Sequence, residues 1–230
     1  MIRPAGHYEP IAREGLVFIV PLFLVALVSW WYGHPWVSLF FLAAAVCVCL
    51  FFRNPERTPP EGEHLVLSPA DGRVVEIVDD ARSDRLDESR LKRISIFMSI
   101  FNVHVNRSPI SGTVRKIDHR PGSFLDARDP EASVVNEHNS LIIRGNDYDL
   151  EVVQIAGKVA RRIACWVAEG EHVRRGQRFG LIRFGSRLDV YLPKHFSIHV
   201  EVGGRVRAGV SVLAKAPDGE TQGPSRQGFG

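Results

Sequence analysis

The chain has little cysteine, no large excess of either charge, and few amphipathic helical periods. Three cysteines in 230 residues cannot form a disulfide framework. Cys47 and Cys49 lie inside an apolar stretch and Cys165 stands alone in a strand-like segment, so all three read as packing residues of a protein kept reduced. The net charge of +3 is too small to argue for nucleic acid, and no RNA- or DNA-binding pattern accompanies it. A mild basic excess suits an anionic membrane surface instead.

Apolar residues are plentiful but uneven, with most of the longest runs before residue 53. Leu16–Tyr32 and Trp36–Phe52 are each 17 residues long without a charge, near the lower limit for crossing a hydrocarbon core. Gly33-His34-Pro35 is a turn signal between them, so residues 1–52 are expected to form a helical membrane hairpin that either spans or dips into one leaflet. A cleaved signal peptide fits poorly, because a second apolar run follows the first at once. Arg3 and Arg13 precede the pair and Arg53 and Arg57 follow it, which favours a cell-membrane protein with its soluble part on the cytoplasmic face. Trp30, Trp31 and Trp36 suit an interfacial level.

Beyond Pro59-Pro60 the pattern changes to short β-branched runs broken by Gly and Pro: Arg73–Val78, Ile94–Ile100, Gly112–Ile117, Leu141–Ile143 and Leu150–Ile155. Residues 53–215 therefore read as a mainly β domain. Ser68-Pro69-Ala70-Asp71-Gly72-Arg73-Val74 is echoed by Ser108-Pro109-Ile110-Ser111-Gly112-Thr113-Val114. The echo predicts two similar turns with Gly at a special backbone angle, inside a pseudo-symmetric β-sandwich or barrel. From Gly157 to Ile182 the glycine spacing resembles the tight hairpins of biotinyl and lipoyl carriers, but the modifiable Lys of a carrier tip is missing. Residues 216–230, rich in Gly, Pro, Ser and Gln, read as a disordered tail.

Three segments carry a more specific pattern: Ser68-Pro69-Ala70-Asp71-Gly72, Phe97-Met98-Ser99-Ile100-Phe101-Asn102-Val103-His104-Val105-Asn106-Arg107, and Arg183-Phe184-Gly185-Ser186-Arg187-Leu188-Asp189-Val190. A fourth, Asn136-Glu137-His138-Asn139, precedes a strand-like run. In order and spacing they resemble the short form of the phosphatidylserine decarboxylase family, over roughly residues 50 to 215. The resemblance implies a proenzyme that cuts itself between Gly185 and Ser186. The Ser hydroxyl attacks the preceding carbonyl, the resulting ester eliminates to dehydroalanine, and hydrolysis leaves a pyruvoyl group derived from Ser186. Gly185 leaves that carbonyl unhindered. A weak hydroxyl nucleophile needs a base held in place, and the resemblance assigns His104 as the base and Asp71 as its orienting partner. It further implies that the pyruvoyl carbonyl condenses with the substrate amine and acts as an electron sink. Phosphatidylserine would thus become phosphatidylethanolamine, with the two fragments staying associated and a homo-oligomer possible.

The chain departs from longer family members, which carry an Asp and a second His where Ser99 and Phe101 stand here. The proton donor for decarboxylation is thereby left open among His104, Glu137 and His138, the last two being candidate substrate-binding residues. His195 and His199 have metal-ligand spacing on a helix, but Phe196–Val202 reads as strand, so no metal is expected. Arg161-Arg162 and Arg174-Arg175 read as basic surface. An inactive membrane-tethered binding module is one competing reading. A serine hydrolase is another, although the Gly-x-Ser-x-Gly elbow is absent around Ser186. A related phosphoserine lipid with ether-linked chains would need the same head-group chemistry.

Overall fold

A computed structural model describes residues 9–62, 64–86, 90–123, 135–157, 162–183 and 185–217. Phe184, Arg161 and most of the tail expected over 216–230 lie outside these residues. After a 3-10 turn at Arg13–Gly15, helix α1 spans Leu16–Trp31 and helix α2 spans Pro35–Phe51. Gly33, at φ +75°, makes the reversal, and Pro35 opens α2 at a position whose N–H would lack a helical acceptor in any case. The continuous helical stretch Arg13–Trp31, 19 residues, is long and apolar enough to cross a membrane; α2 is a shorter apolar helix. Trp30, Trp31 and Trp36 are exposed at the turn end. The opposite end is docked: Ala12, Phe51 and Phe52 share one buried apolar cluster with Val103, Val105 and Leu181.

The remainder is mainly β; strands make up 41% of the described residues and helices 20%. The strands are β1 Leu65–Leu67, β2 Gly72–Ala81, β3 Leu91–Met98, β4 Val105–Arg107, β5 Gly112–Arg120, β6 His138–Arg144, β7 Asp149–Ala156, β8 Ile163–Cys165, β9 His172–Val173, β10 Arg178–Ile182, β11 Ser186–Pro193, β12 Ser197–Ile198, β13 Arg205–Val206 and β14 Val212–Lys215. Eight of them form a curled sheet in the order β13-β2-β3-β11-β7-β6-β5-β9, and two three-stranded sheets have the orders β1-β14-β12 and β4-β10-β8. The five strand-like runs of the sequence correspond to β2, β3, β5, β6 and β7. One ends early, at Met98 rather than Ile100, because Ser99 begins a turn closed by the Asn102 N–H on its carbonyl, 2.9 Å.

The sheet order repeats itself about the β11/β7 boundary, pairing β11 with β7, β3 with β6, β2 with β5 and β13 with β9. The small sheets match likewise, β1-β14-β12 against β4-β10-β8. One repeat is therefore continuous, from β4 to β10. The other is split, β1 to β3 before it and β11 to β14 after it. The backbone confirms the equivalence: the Leu67 N–H donates to Pro109 O and the Arg107 N–H to Pro69 O, both at 2.9 Å. Ser68 Oγ donates to Ala70 O and Ser108 Oγ to Ile110 O, both at 2.7 Å. The echo thus marks a true repeat, but its glycines serve a different purpose from the one expected. Neither Gly72 nor Gly112 has a positive φ. Instead a Cβ at Gly72 would lie 2.2 Å from Phe97 O, and one at Gly112 2.2 Å from Arg144 O, so close strand approach excludes a side chain.

One face of the curled sheet supplies the core, through Ile94, Ile96, Met98, Leu188, Val190 and Leu141, joined by Val66, Phe179 and Leu213 from the small sheets. The other face buries polar groups, including the two-pronged Arg187–Asp189 pair at 2.8 Å for each bond. The strand expected over Phe196–Val202 shrinks to β12. His199 lies beyond it, with Nε2 3.2 Å from Ser197 Oγ, and His195 sits in the preceding turn.

Candidate active site

The split repeat creates a seam where the chain twice crosses between repeats. The first crossing, residues 99–104, leaves β3 for β4; the second, residues 183–185, leaves β10 for β11. They are tied together at both ends. Ser186 pairs with Met98 across β11 and β3, and the Ile182 N–H points to His104 O at 3.4 Å. His104 and Ser186, 82 residues apart in sequence, are thereby gathered at one corner of the fold.

Each brings an unsatisfied polar atom. Ser186 Oγ and His104 Nε2 are buried without a hydrogen-bond partner among the described residues. Buried polar side chains are nearly always satisfied, so each exception calls for an explanation, a catalytic role among them. His104 Nδ1 lies 3.0 Å from Asn102 O; a carbonyl only accepts, so Nδ1 carries the proton and Nε2 keeps its lone pair. Burial lowers the His104 pKa to about 4, with the Arg53 charge adding to the fall and the Asn102 hydrogen bond and Asp71 charge opposing it. Its imidazole is therefore a free base at neutral pH. Phe51, the last residue of α2, lies against the ring at 4.1 Å between centroids.

Gly185, the residue before Ser186, has φ +64°, in the left-handed region that disfavours residues with a Cβ. A Cβ there would meet nothing within 4 Å, so the demand for glycine comes from backbone conformation and not from crowding.

Asp71 does not hydrogen-bond His104. Arg57 grips both its oxygens, one through Nη2–Oδ2 at 2.8 Å, and the Ala208 N–H donates to Oδ1 at 2.8 Å. The expected orienting contact is made by Asn102 O instead, and Asp71 reaches His104 through its charge. The repeat shows that this carboxylate is special. At the equivalent position Ser111 Oγ accepts the Arg175 N–H at 2.9 Å, so a hydroxyl is enough to close the turn.

The remaining candidates lie farther off. Glu137 shares a row with Ala156 and Ser186 across the sheet, placing its side chain on the Ser186 face but two strands away, roughly 10 Å; its Oε1 is 3.6 Å from His119 Nε2. His138 is in the next row, with Ile155 and Arg187, and therefore projects from the opposite face. There its Nδ1 lies 2.9 Å from Asn136 O and its Nε2 3.0 Å from Arg85. Ser99 Oγ donates to Asn102 Oδ1 at 2.8 Å, and Phe101 is 81% exposed at the tip of the turn.

Sequence reading missed Asn102, Phe51 and Arg57. Asn102 lies inside a quoted motif, and its position two residues before a buried histidine was the available signal. Phe51 and Arg57 act on the site only because the helical hairpin docks at the seam.

A sequence model described as phosphatidylserine decarboxylase matches residues 44–214. The chain is 48% identical over 209 residues to a phosphatidylserine decarboxylase proenzyme of Syntrophus aciditrophicus (strain SB), covering 90% of this chain and 98% of that one. It is 46% identical over 209 residues to a protein of the same description from Geotalea uraniireducens (strain Rf4), covering 90% and 97%.

Proposed function

Because the chain belongs to the phosphatidylserine decarboxylase family and is a decarboxylase of that class, we propose that it matures by cutting itself between Gly185 and Ser186 and then converts phosphatidylserine to phosphatidylethanolamine at a membrane. The observation carrying this reading is the pair of unpartnered buried atoms, Ser186 Oγ and His104 Nε2, at one seam.

His104 Nε2 takes the Ser186 hydroxyl proton while Oγ attacks the Gly185 carbonyl carbon. The C–N bond breaks and the acyl group passes to Oγ as an ester, the proton returning to the freed amine. Asn102 O holds the tautomer, and Phe51 and the core keep bulk water from the base. Loss of the residue 186 Cα proton then expels the Gly185 carboxylate. Hydrolysis of the resulting dehydroalanine releases ammonia and leaves a pyruvoyl end. The residues fit that group, since its precursor hydroxyl is buried without a partner and the seam also carries the unpartnered His104 Nε2. Once formed, the pyruvoyl carbonyl supplies an electron sink for loss of carbon dioxide from an amine-bearing carboxylate. Its unpartnered Nε2 supports His104 as the group that holds or returns a proton there. Ser99 and Phe101 offer no carboxylate or imidazole, and His138 projects from the far face.

Strand β11 lies between β3 and β7, so the fragments remain interlocked after cutting. The apolar hairpin holds the domain at the membrane, with the basic flanks favouring the cytoplasmic side. Mass measurement of the purified protein tests the proposal: fragments 1–185 and 186–230 are expected, the second beginning with pyruvoyl, with Ser186→Ala remaining whole. An uncut wild-type chain that still releases carbon dioxide from phosphatidylserine overturns it.

A further inference from the structure

The helical hairpin meets the catalytic seam in an apolar groove of about 390 Å³, walled by Cys47, Val48, Leu50 and Phe51 of α2 and by Ile100 and Phe101 of the 99–104 crossing, with Arg53 at its rim. The groove opens outward: Leu50 is 55%, Ile100 54% and Phe101 81% exposed. Two large apolar side chains at the tip of a polar turn are an expensive surface in water. The turn is nevertheless held firmly, with the Ser99 N–H donating to Asn102 Oδ1 at 2.9 Å and Arg53 donating to Phe101 O at 2.7 Å.

We propose that this groove takes one acyl chain of the membrane phospholipid that the enzyme decarboxylates, and so sets how deep the head group sits. The inference rests on the decarboxylase reading above. Three observations select this occupant. First, the groove continues an exposed apolar face of α2, formed by Leu39, Leu42, Val46 and Leu50, so an acyl chain lying along that face runs into it. Second, Phe51 is shared: its ring lies 4.1 Å from that of His104 and also walls the groove, so the apolar path ends where the chemistry begins. Third, cations stand where the glycerol phosphate of such a lipid would emerge. Arg53 is at the rim, and a recess on the other side of the same turn, about 440 Å³, carries Arg73 and Arg205 beside Phe101 and Asn102. Apolar walls, arginines beside them and His104 behind Phe51 supply the surroundings that the chain, phosphate and head group of a phospholipid require.

The test uses the full chain in detergent micelles. A Cys47→Trp variant fills the groove from α2 and leaves the sequence of the 99–104 turn unchanged, and Phe101→Ser opens it from the other side. Both are expected to cut themselves as wild type does. The ratio of their decarboxylation rate on dioleoyl to that on dihexanoyl phosphatidylserine should fall at least about tenfold, the loss expected when about two methylenes forfeit burial. Equal effects on both lipids, or none, overturn the proposal. A second readout is independent of turnover: uncut Ser186→Ala chain is irradiated with phosphatidylserine bearing a diazirine in its acyl chain. Adducts should concentrate at residues 47–51 and 100–101; adducts spread evenly along both helices defeat the groove. Failure of wild type to cut or to decarboxylate either lipid defeats the functional reading instead.

Discussion

The proposed self-cutting carries a pH dependence set by the environment of His104. Burial takes its pKa from 6.5 to about 4. Each unit corresponds to about 1.4 kcal/mol, so the buried site disfavours the imidazolium by about 3 kcal/mol. At pH 5 roughly 90% of His104 is still free base, against about 3% for an ordinary histidine. Cutting is therefore expected to be flat from pH 8 to about pH 5 and to fall by half near pH 4. Proenzyme made by cell-free translation into micelles, shifted rapidly to each pH and followed by gel densitometry, gives the profile. A midpoint near 6.5 would refute the assignment of the buried, neutral His104 as base. The same shift bears on stability. Between pH 4 and 6.5 the unfolded chain binds the proton that the folded chain refuses, so the proenzyme loses stability as pH falls through this window. His104→Gln should lessen that loss in thermal melts. Arg53→Gln, which removes a repelling charge, should move the cutting midpoint upward.

Asp71→Ser gives the split repeat what its partner has at Ser111; the fold is expected to survive in circular dichroism, while cutting slows at least about tenfold as the carboxylate charge near His104 is lost. Gly185→Ala should fold and lose only about 1–2 kcal/mol, the cost of a left-handed backbone bearing a Cβ; failure to fold would reveal crowding that the open space around Gly185 does not show. Asp189→Asn leaves Arg187 buried without its carboxylate, where side-chain exposures are 4% and 1%. A loss of about 3–5 kcal/mol is expected in chemical denaturation, and a loss below about 1 kcal/mol would contradict the burial of the pair.

Local pattern alone determined much of this protein. Two uncharged runs around Gly33-His34-Pro35 specify a helical hairpin, because helix length and apolarity are properties of consecutive residues. Alternating β-branched runs specify the strands, and the Ser-Pro-x-x-Gly echo announces the repeat. Gly185-Ser186, Asp71 and His104 are readable as a group because their flanking residues are ordered along the chain. Tertiary structure decided what these residues touch. Pairing between distant strands makes the repeat split, and the split brings Ser186 beside Met98 and Ile182 beside His104. That pairing gives His104 its Asn102 contact, hands Asp71 to Arg57, and sends His138 to the opposite face, since neighbouring residues in a strand project to opposite sides. The docking of Phe51 against His104 was likewise illegible, because the end of an apolar helix carries no local sign of which distant side chain it packs against. Sequence specifies elements through short-range periodicity; the site depends on long-range register, which only the packed sheet supplies.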